Sequence, residues 1–187
     1  MFFFPNKPIQ IYDPDKLLVL LRHQKNNWIV QPKWNGKRVE IACDNNIIRM
    51  TSREGNYWSK ESASWVWLRE LPLPQPWFLD GEMLRDGRVY VWDYAVLGGQ
   101  RTFKTPYKSR LKFLQTILPF QYIHSPQKLY KTILAVTETL PITKYKKLLK
   151  RSNDKFIEGV VWKNLSGMNF WDLYKTGKVA TQFKYRF

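Results

Sequence analysis

The chain has 187 residues, enough to bury one hydrophobic core in a single domain. Lys and Arg total 31 against 15 Asp and Glu, and the formal net charge of +16 indicates a polyanionic partner such as nucleic acid. The single cysteine, Cys43, excludes an intramolecular disulfide, and no apolar stretch has the length of a signal peptide or a membrane span. We therefore expect a soluble intracellular protein with no membrane partner.

The first quarter of the chain predicts a short helix followed by strands. Asp13-Pro14-Asp15 combines a helix cap, a proline at the first helical position and an acidic first turn, and the helix is expected to end near Lys25. An apolar run and then an alternating pattern around the Asn45-Asn46 turn predict a strand and a hairpin. These strands are expected at Ile29 to Lys33, Lys37 to Asp44 and Ile47 to Ser52.

The remainder of the chain alternates between helices and hairpins. Helical spacing of apolar residues predicts helices from Lys60 to Leu71 and from Pro106 to Leu118, and Thr143 is expected to cap a basic helix from Lys144 to Arg151. Further strands are expected at Trp77 to Leu84, Arg88 to Val96, Ile133 to Leu140, Phe156 to Lys163 and Ala180 to Arg186, with a short helix at Ser125 to Lys131. This pattern predicts an α+β fold with mostly antiparallel strands.

Lys33 stands where a predicted strand ends, in the run Lys33-Trp34-Asn35-Gly36-Lys37-Arg38. A lysine becomes a nucleophile when burial and neighbouring cations lower its pKa, and Lys37 and Arg38 are such neighbours. The alternative interpretation is an ordinary surface turn that contains a lysine.

Two acidic segments have the spacing of ligand-binding sites. Asp80 and Glu82 alternate along one predicted strand, so they face the same side and suit a ribose hydroxyl or a divalent metal. Glu158 precedes Gly159 at the start of a strand that ends at Lys163, which combines a metal ligand with a cation for a phosphate. Satisfied salt bridges are the alternative for both segments.

Two further strands carry an aromatic ring and a basic pair. Trp92 is placed to stack on a base, with a core tryptophan as the alternative. Lys184 and Arg186 alternate onto one face of the last strand and suit a phosphate, with a solvated basic strand as the alternative.

Together and in this order, the segments resemble the covalent nucleotidyltransferases, which are the ATP-dependent DNA ligases, the RNA ligases and the mRNA capping enzymes. The resemblance runs from Lys33 to Arg186 and includes Arg53 in Thr51-Ser52-Arg53. It implies an α+β adenylation domain of two mostly antiparallel sheets with flanking helices. Asn35 stands where the family usually has Asp, and Arg186 stands where it usually has Lys. Because the sequence stops at Phe187, we expect a single domain without the OB-fold domain of many relatives.

The resemblance also implies a role for each site residue. Lys33 would attack the α-phosphate of ATP and form a covalent Lys–AMP intermediate. The nucleotide would be held by Gln31 at the adenine amino group, Trp92 on the adenine ring, Arg38 and Glu82 at the ribose, and Lys163 and Lys184 at the α-phosphate, with Arg53 and Arg186 also in the nucleotide-binding set. Glu158, with Asp80 or Asp93, would bind Mg²⁺ or Mn²⁺.

The expected activity is ATP-dependent sealing of nicks in duplex DNA. RNA end joining, GTP-dependent capping and a non-catalytic nucleic-acid-binding role are the alternatives. Basic residues are predicted to hold the nucleic acid by its phosphates, without reading its sequence, at Lys144, Lys146, Lys147, Lys150 and Arg151 and at Lys104, Lys108 and Arg110. We expect a cytoplasmic or nucleoid-associated monomer in which either the protein's own basic surface or an accessory protein takes the place of the OB-fold domain.

Overall fold

Two sheets, both mostly antiparallel, make up the framework of the protein in a computed structural model that describes residues 7–58, 63–118, 122–124, 132–167 and 178–187. The first sheet has the order β1-β12-β11-β2-β10 and the second has the order β4-β3-β5-β6-β9-β8, with β7 on β6. The first sheet contains β1 (Lys7–Gln10), β2 (Trp28–Trp34), β10 (Leu140–Pro141), β11 (Ile157–Asn164) and β12 (Lys178–Arg186). The second contains β3 (Lys37–Asp44), β4 (Ile47–Ser52), β5 (Trp77–Met83), β6 (Val89–Leu97), β7 (Gln100–Arg101), β8 (Tyr122–His124) and β9 (Thr132–Val136).

Helices cover the outer faces of the sheets. The α-helices are α1 (Pro14–Leu21), α2 (Tyr107–Ile117) and α3 (Tyr145–Leu149), and 3₁₀ turns occupy Arg22–Asn27, Ala63–Glu70 and Ile142–Lys144. The predicted α+β class with two mostly antiparallel sheets is therefore confirmed. Within the described ranges, no helix has the length and apolar character needed to cross a membrane.

Local sequence signals set the start of α1 and the turn between β3 and β4. Asp13 caps α1, because its Oδ1 accepts a hydrogen bond of 2.9 Å from the Lys16 amide. Asn45 and Asn46 have φ angles of 48° and 62°, the left-handed conformation that a two-residue hairpin turn requires. The β3–β4 hairpin consequently has the predicted boundaries.

Some predicted elements differ because long-range pairing overrides the local pattern. The strand expected from Ile133 to Leu140 is divided: β9 runs parallel to β6 in the second sheet, and β10 pairs with β2 in the first. Residues 137–139 thus carry the chain from one sheet to the other. The predicted cap at Thr143 is wrong, since a 3₁₀ turn begins after Pro141 and α3 starts at Tyr145 without a side-chain cap. The short helix predicted at Ser125 to Lys131 lies outside the described residues.

One apolar cluster decides which side of the first sheet carries the functional residues. Val30, Val160 and Trp162 pack on the outer face against Leu17 of α1 and Leu148 of α3. Because side chains alternate along a strand, their neighbours on β2 and β11 project from the opposite, inner face of the sheet.

Gly159 allows β12 to approach β11 closely. A Cβ at this position would lie 1.9 Å from the Tyr185 carbonyl oxygen, far inside van der Waals contact. We predict that Gly159→Ala lowers the free energy of unfolding by about 3 kcal/mol or more, since the backbone of the sheet must shift. Gly87→Ala is the control, because a Cβ at this position has open space around it. The only cost is that alanine must adopt a φ of 85°, so the free energy of unfolding should fall by about 1 kcal/mol. Urea denaturation measures both, and equal losses would contradict the packing argument.

Candidate active site

A cavity of about 660 Å³ lies between the two sheets, and side chains of both sheets line it. The inner face of the first sheet forms one wall, and the second sheet forms the other. Every residue that the sequence predicted to bind nucleotide or metal lines this cavity: Gln31, Lys33, Arg38, Arg53, Asp80, Glu82, Trp92, Asp93, Glu158, Lys163, Lys184 and Arg186.

Lys33 ends the inner face of β2, and 17% of its side chain is exposed. Its Nζ donates a hydrogen bond to Oε1 of Glu158, whose other oxygen lies 3.6 Å from Nε of Arg186. Burial lowers the pKa of Lys33 to about 8, opposed by Glu82 and reinforced by Arg186, Lys184 and Arg53. Lys33 is therefore a lysine that can lose its proton near neutral pH.

The turn after Lys33 is fixed by its contacts. A Cβ on Gly36 would lie 2.4 Å from the Met83 carbonyl oxygen, so the close approach of β5 requires glycine here. The Gly36 amide donates a hydrogen bond of 3.2 Å to Glu82, whose pKa burial raises to about 7. Asn35 donates from Nδ2 to the Lys155 carbonyl at 3.2 Å, a hydrogen bond that an ionised aspartate could not donate.

Arg38, Asp80 and Trp92 form a hydrogen-bonded group on the second sheet. Arg38 donates to both carboxylate oxygens of Asp80, at 2.8 and 2.5 Å. The Trp92 indole N–H donates to the same carboxylate at 2.6 Å. Asp80 thus holds both the guanidinium and the indole in the cavity wall.

Gln31 is buried in the wall that Lys33 shares, two residues before it on β2. Its Nε2 donates to the Tyr107 and Thr139 hydroxyls, each at 3.0 Å. The sequence analysis did not find Tyr107 and Thr139, because they lie 76 and 108 residues from Gln31 and no local pattern marks them.

Lys163 is a buried cation beside two aromatic rings. It is 5% exposed, and its Nζ lies 4.7 Å from the ring centroid of Tyr107 and 5.5 Å from that of Trp92. Among the described residues, no carboxylate oxygen lies within ion-pair distance of it, although Tyr107 accepts a hydrogen bond of 3.4 Å. Burial lowers the pKa of Lys163 to about 8.

The three carboxylates predicted as metal ligands are not gathered into one group. Both oxygens of Asp93 accept from Arg110, at 2.7 and 3.2 Å, and Asp80 is engaged by Arg38 and Trp92. In the described ranges, no three His, Cys, Asp or Glu side chains come together as a metal-binding cluster. Mg²⁺ is commonly held by one or two carboxylates together with substrate phosphates, and Glu158, beside Lys33, fits that requirement.

The predicted basic surfaces lie apart from each other. The exposed lysines of the α3 region, Lys144, Lys146, Lys147 and Lys150, belong to a segment that packs on the outer face of the first sheet, opposite the cavity. Arg151 pairs with Glu138 and Asp154. Lys104 and Lys108 are exposed near the start of α2. The interpretation of Arg110 as a surface contact is wrong, because its side chain is fully buried against Asp93.

The solved structures to which this fold is similar include DNA ligases. A mycobacterial DNA ligase D complexed with ATP matches with a TM-score of 0.64 and 20% identity, over 86% of this chain and 55% of that one. The ligase domain of M. tuberculosis LigD has a TM-score of 0.65 and 19% identity, over 97% and 59%. The ATP-dependent DNA ligase from bacteriophage T7 in complex with ATP has a TM-score of 0.60 and 14% identity, over 98% and 68%.

The chain therefore has the same fold as these DNA ligase structures, as the sequence motifs predicted. It spans 55% and 59% of the two mycobacterial ligase chains. No protein-family model matches the sequence. No curated protein matches it either.

The burial of the Lys163 ammonium group is predicted to lower the stability of the folded protein. Because the fold lowers the pKa of Lys163 from 10.5 to about 8, the unfolded chain binds more protons between these pH values and stability rises with pH there. Lys163→Met, which removes the buried charge, should raise the free energy of unfolding at pH 7 by about 2 kcal/mol. Between pH 7 and 9 the wild type should gain about 1 kcal/mol relative to this variant.

Urea denaturation at the two pH values measures both effects. Lys108→Met, at an exposed position, is the matched control and should change stability by less than about 0.5 kcal/mol. A Lys163→Met variant that is less stable than the wild type at pH 7 would contradict this account of the buried ammonium.

Proposed function

We propose that the protein is an ATP-dependent polynucleotide ligase that seals nicks in duplex DNA through a covalent Lys33–AMP intermediate. The observation that carries the proposal is a lysine with a pKa lowered to about 8 in the wall of a cavity that also contains Lys163, Lys184 and Arg186. A nucleophilic amine beside several phosphate-binding cations is what phosphoryl transfer from a nucleotide requires.

In the first step, the neutral Lys33 amine attacks the α-phosphorus of ATP. A P–N bond forms as the P–O bond to pyrophosphate breaks, pyrophosphate departs with the electron pair, and the proton on nitrogen goes to solvent. An oxygen of a 5′-phosphate end then attacks the same phosphorus, a P–O bond forms, and the P–N bond breaks, with Lys33 keeping the electron pair and taking up a proton. Finally, a 3′-hydroxyl loses its proton to solvent and attacks the 5′-phosphate, and the P–O bond to AMP breaks, so that AMP leaves with the electron pair. The contribution of the protein is placement and charge neutralisation.

Different residues of the cavity are proposed to bind the phosphate, the base and the ribose of the nucleotide. Lys163 lies deep in the site without a carboxylate partner among the described residues, so an α-phosphate is a suitable counter-ion, with Lys184 as its second contact. The Trp92 ring is held by Asp80 in the cavity wall, where it can stack on adenine. Arg38 and Glu82, which are neighbours across β3 and β5, are proposed to bind the ribose.

Glu158 is the residue that we assign to the divalent metal. It is 30% exposed and contacts Lys33, so it would hold the metal next to the nucleophile. When bound, Mg²⁺ or Mn²⁺ supplies neutralisation of the triphosphate charge. Asp80 and Asp93 fit less well, because Arg38 and Arg110 already occupy their oxygens.

The acceptor end has to approach Lys33 from the open side of the cavity. Partly or fully exposed cations line the cavity there: Lys7, Lys37, Arg53 and Arg186. The lysines of α3 lie on the far side of the first sheet from the nucleophile. We therefore propose that the cavity cations contact the phosphates next to the nick, and that α3 is at most a distant contact.

Radiolabelled ATP tests the nucleophile. Wild-type protein should retain label equivalent to one AMP that is stable in alkali and released by acid, as expected of a P–N bond, and Lys33→Ala should lose this label, because Lys33 is the amine proposed to form the phosphoramidate. Lys108→Ala, at an exposed position outside the cavity, should keep it. Retention of label by Lys33→Ala would remove Lys33 from the mechanism. Nicked DNA and nicked RNA duplexes compared side by side distinguish the two substrates, and faster sealing of RNA would replace the DNA assignment.

Charge reversal on opposite sides of the first sheet tests the acceptor site. Starting from the preformed protein–AMP adduct, Lys37→Glu should slow AMP transfer to nicked DNA at least tenfold at low salt, because it repels the incoming phosphates. Lys147→Glu makes the same charge change on α3 and should slow transfer less than twofold. Single-turnover rates at two salt concentrations provide the measurement. The reverse order of effects would assign the acceptor to α3.

A further inference from the structure

The side-chain amide of Gln31 has one donor end and one acceptor end, and the structure fixes which end faces which neighbour. The residue is 2% exposed, so its amide depends mainly on the neighbouring side chains for hydrogen bonds. Its Nε2 lies 3.0 Å from both Tyr107 Oη and Thr139 Oγ1. A hydroxyl can accept as well as donate, so the orientation of the amide depends on where the two hydroxyl protons go.

Both hydroxyl protons are committed to backbone carbonyls. Tyr107 donates to the Trp92 carbonyl at 2.9 Å, and Thr139 donates to the Thr137 carbonyl at 3.3 Å. Burial raises the pKa of Tyr107 well above its ordinary value, so its phenol keeps that proton. Each hydroxyl carries only one proton, and toward Gln31 each can only accept. A flipped amide would place its oxygen against two other oxygens with no proton between them.

The amide orientation determines what Gln31 offers to a ligand. Both N–H bonds of Nε2 are used, and Gln31 makes no other side-chain hydrogen bond to the described residues. Its Oε1 is therefore the atom available to a molecule in the cavity that Gln31 lines. An acceptor oxygen pairs with the exocyclic amino group of adenine, whereas guanine has a carbonyl oxygen at the equivalent ring position.

We propose that Tyr107 and Thr139 act as positioning residues which, by fixing the Gln31 amide, make the site select adenosine over guanosine triphosphate. This inference rests on the proposed function, in which the cavity binds the nucleotide that reacts with Lys33. Neither residue has to touch the base. Tyr107 belongs to α2 and Thr139 to the connection between β9 and β10. Two distant parts of the chain would therefore set the nucleotide preference of Gln31 on β2.

Paired binding and transfer measurements test the proposal on the full chain. Equilibrium binding of ATP and of GTP is measured by calorimetry, and transfer of label from each nucleotide onto the protein is measured separately. The wild type should prefer ATP at least about 100-fold, since a buried acceptor facing a guanine oxygen leaves both unpaired. The double variant Tyr107→Phe with Thr139→Val frees the amide to flip, and its ATP-to-GTP ratio should fall at least tenfold.

Thr139 provides a matched pair of single variants. Thr139→Val has nearly the same shape but no hydroxyl, and its ATP-to-GTP ratio should decrease. Thr139→Ser keeps the hydroxyl and should preserve the ratio. A purely structural role would weaken binding of both nucleotides equally in Thr139→Val and leave the ratio unchanged, which would overturn the proposal. Thermal unfolding confirms that each variant is folded before its ratio is interpreted.

The two measurements separate this inference from the proposed function. If the wild type prefers ATP in binding and the variants lose that preference, but no label is transferred, the inference stands and the ligase proposal fails. If label is transferred from ATP and the ratio is the same in all variants, the ligase proposal stands and the inference fails. Wild-type protein that binds GTP as tightly as ATP, or binds neither, overturns the inference.

Discussion

The ammonium groups of Lys33 and Lys163 are buried between the two sheets. The contacts around them and the stability of the fold both depend on that burial. Lys163 has aromatic rings beside it and no ion-pair partner in the described part of the chain, and Lys33 has one contact to Glu158. Holding positive charge in this way costs folding free energy, which is tolerable only because the two apolar clusters behind the sheets supply the stability. As a consequence, the cavity has a positive electrostatic potential before any anionic ligand binds.

The carboxylates of the cavity show how that field is kept positive. Asp80 is neutralised by Arg38, and Asp93 by Arg110, a fully buried residue that reaches in from α2. Burial raises the pKa of Glu82 to about 7, so this acid is partly protonated at neutral pH. The acids therefore orient their neighbours more than they cancel the lysines. Glu158 contacts both Lys33 and Arg186. It is therefore the carboxylate best placed to give up a contact to one of these side chains and bind a divalent metal instead.

The sequence alone was sufficient for the elements whose signals are local. The Asn45-Asn46 hairpin, the cap of α1 and the alternation of Lys184 and Arg186 each depend on neighbouring residues, and the structure has them as predicted. Strand order and the choice of face depend on distant partners. The local pattern around Arg110 is a basic amphipathic helix, and only the position of Asp93 on β6 explains why that cation is buried. The strand β1 was missed for the same reason, since its pairing with β12 joins opposite ends of the chain.

The short crossing between β9 and β10 contacts both sides of the nucleophile. The Thr137 amide bonds to Val91 of the second sheet, and the Thr137 hydroxyl accepts from the Trp34 indole, next to Lys33 in the first. Two residues later, Thr139 accepts from Gln31. Trp34 is also stacked on Tyr90 at 3.8 Å, which adds a second tie between the sheets. The connection between β9 and β10, together with Trp34, therefore ties the two sheets to each other next to Lys33 and Gln31.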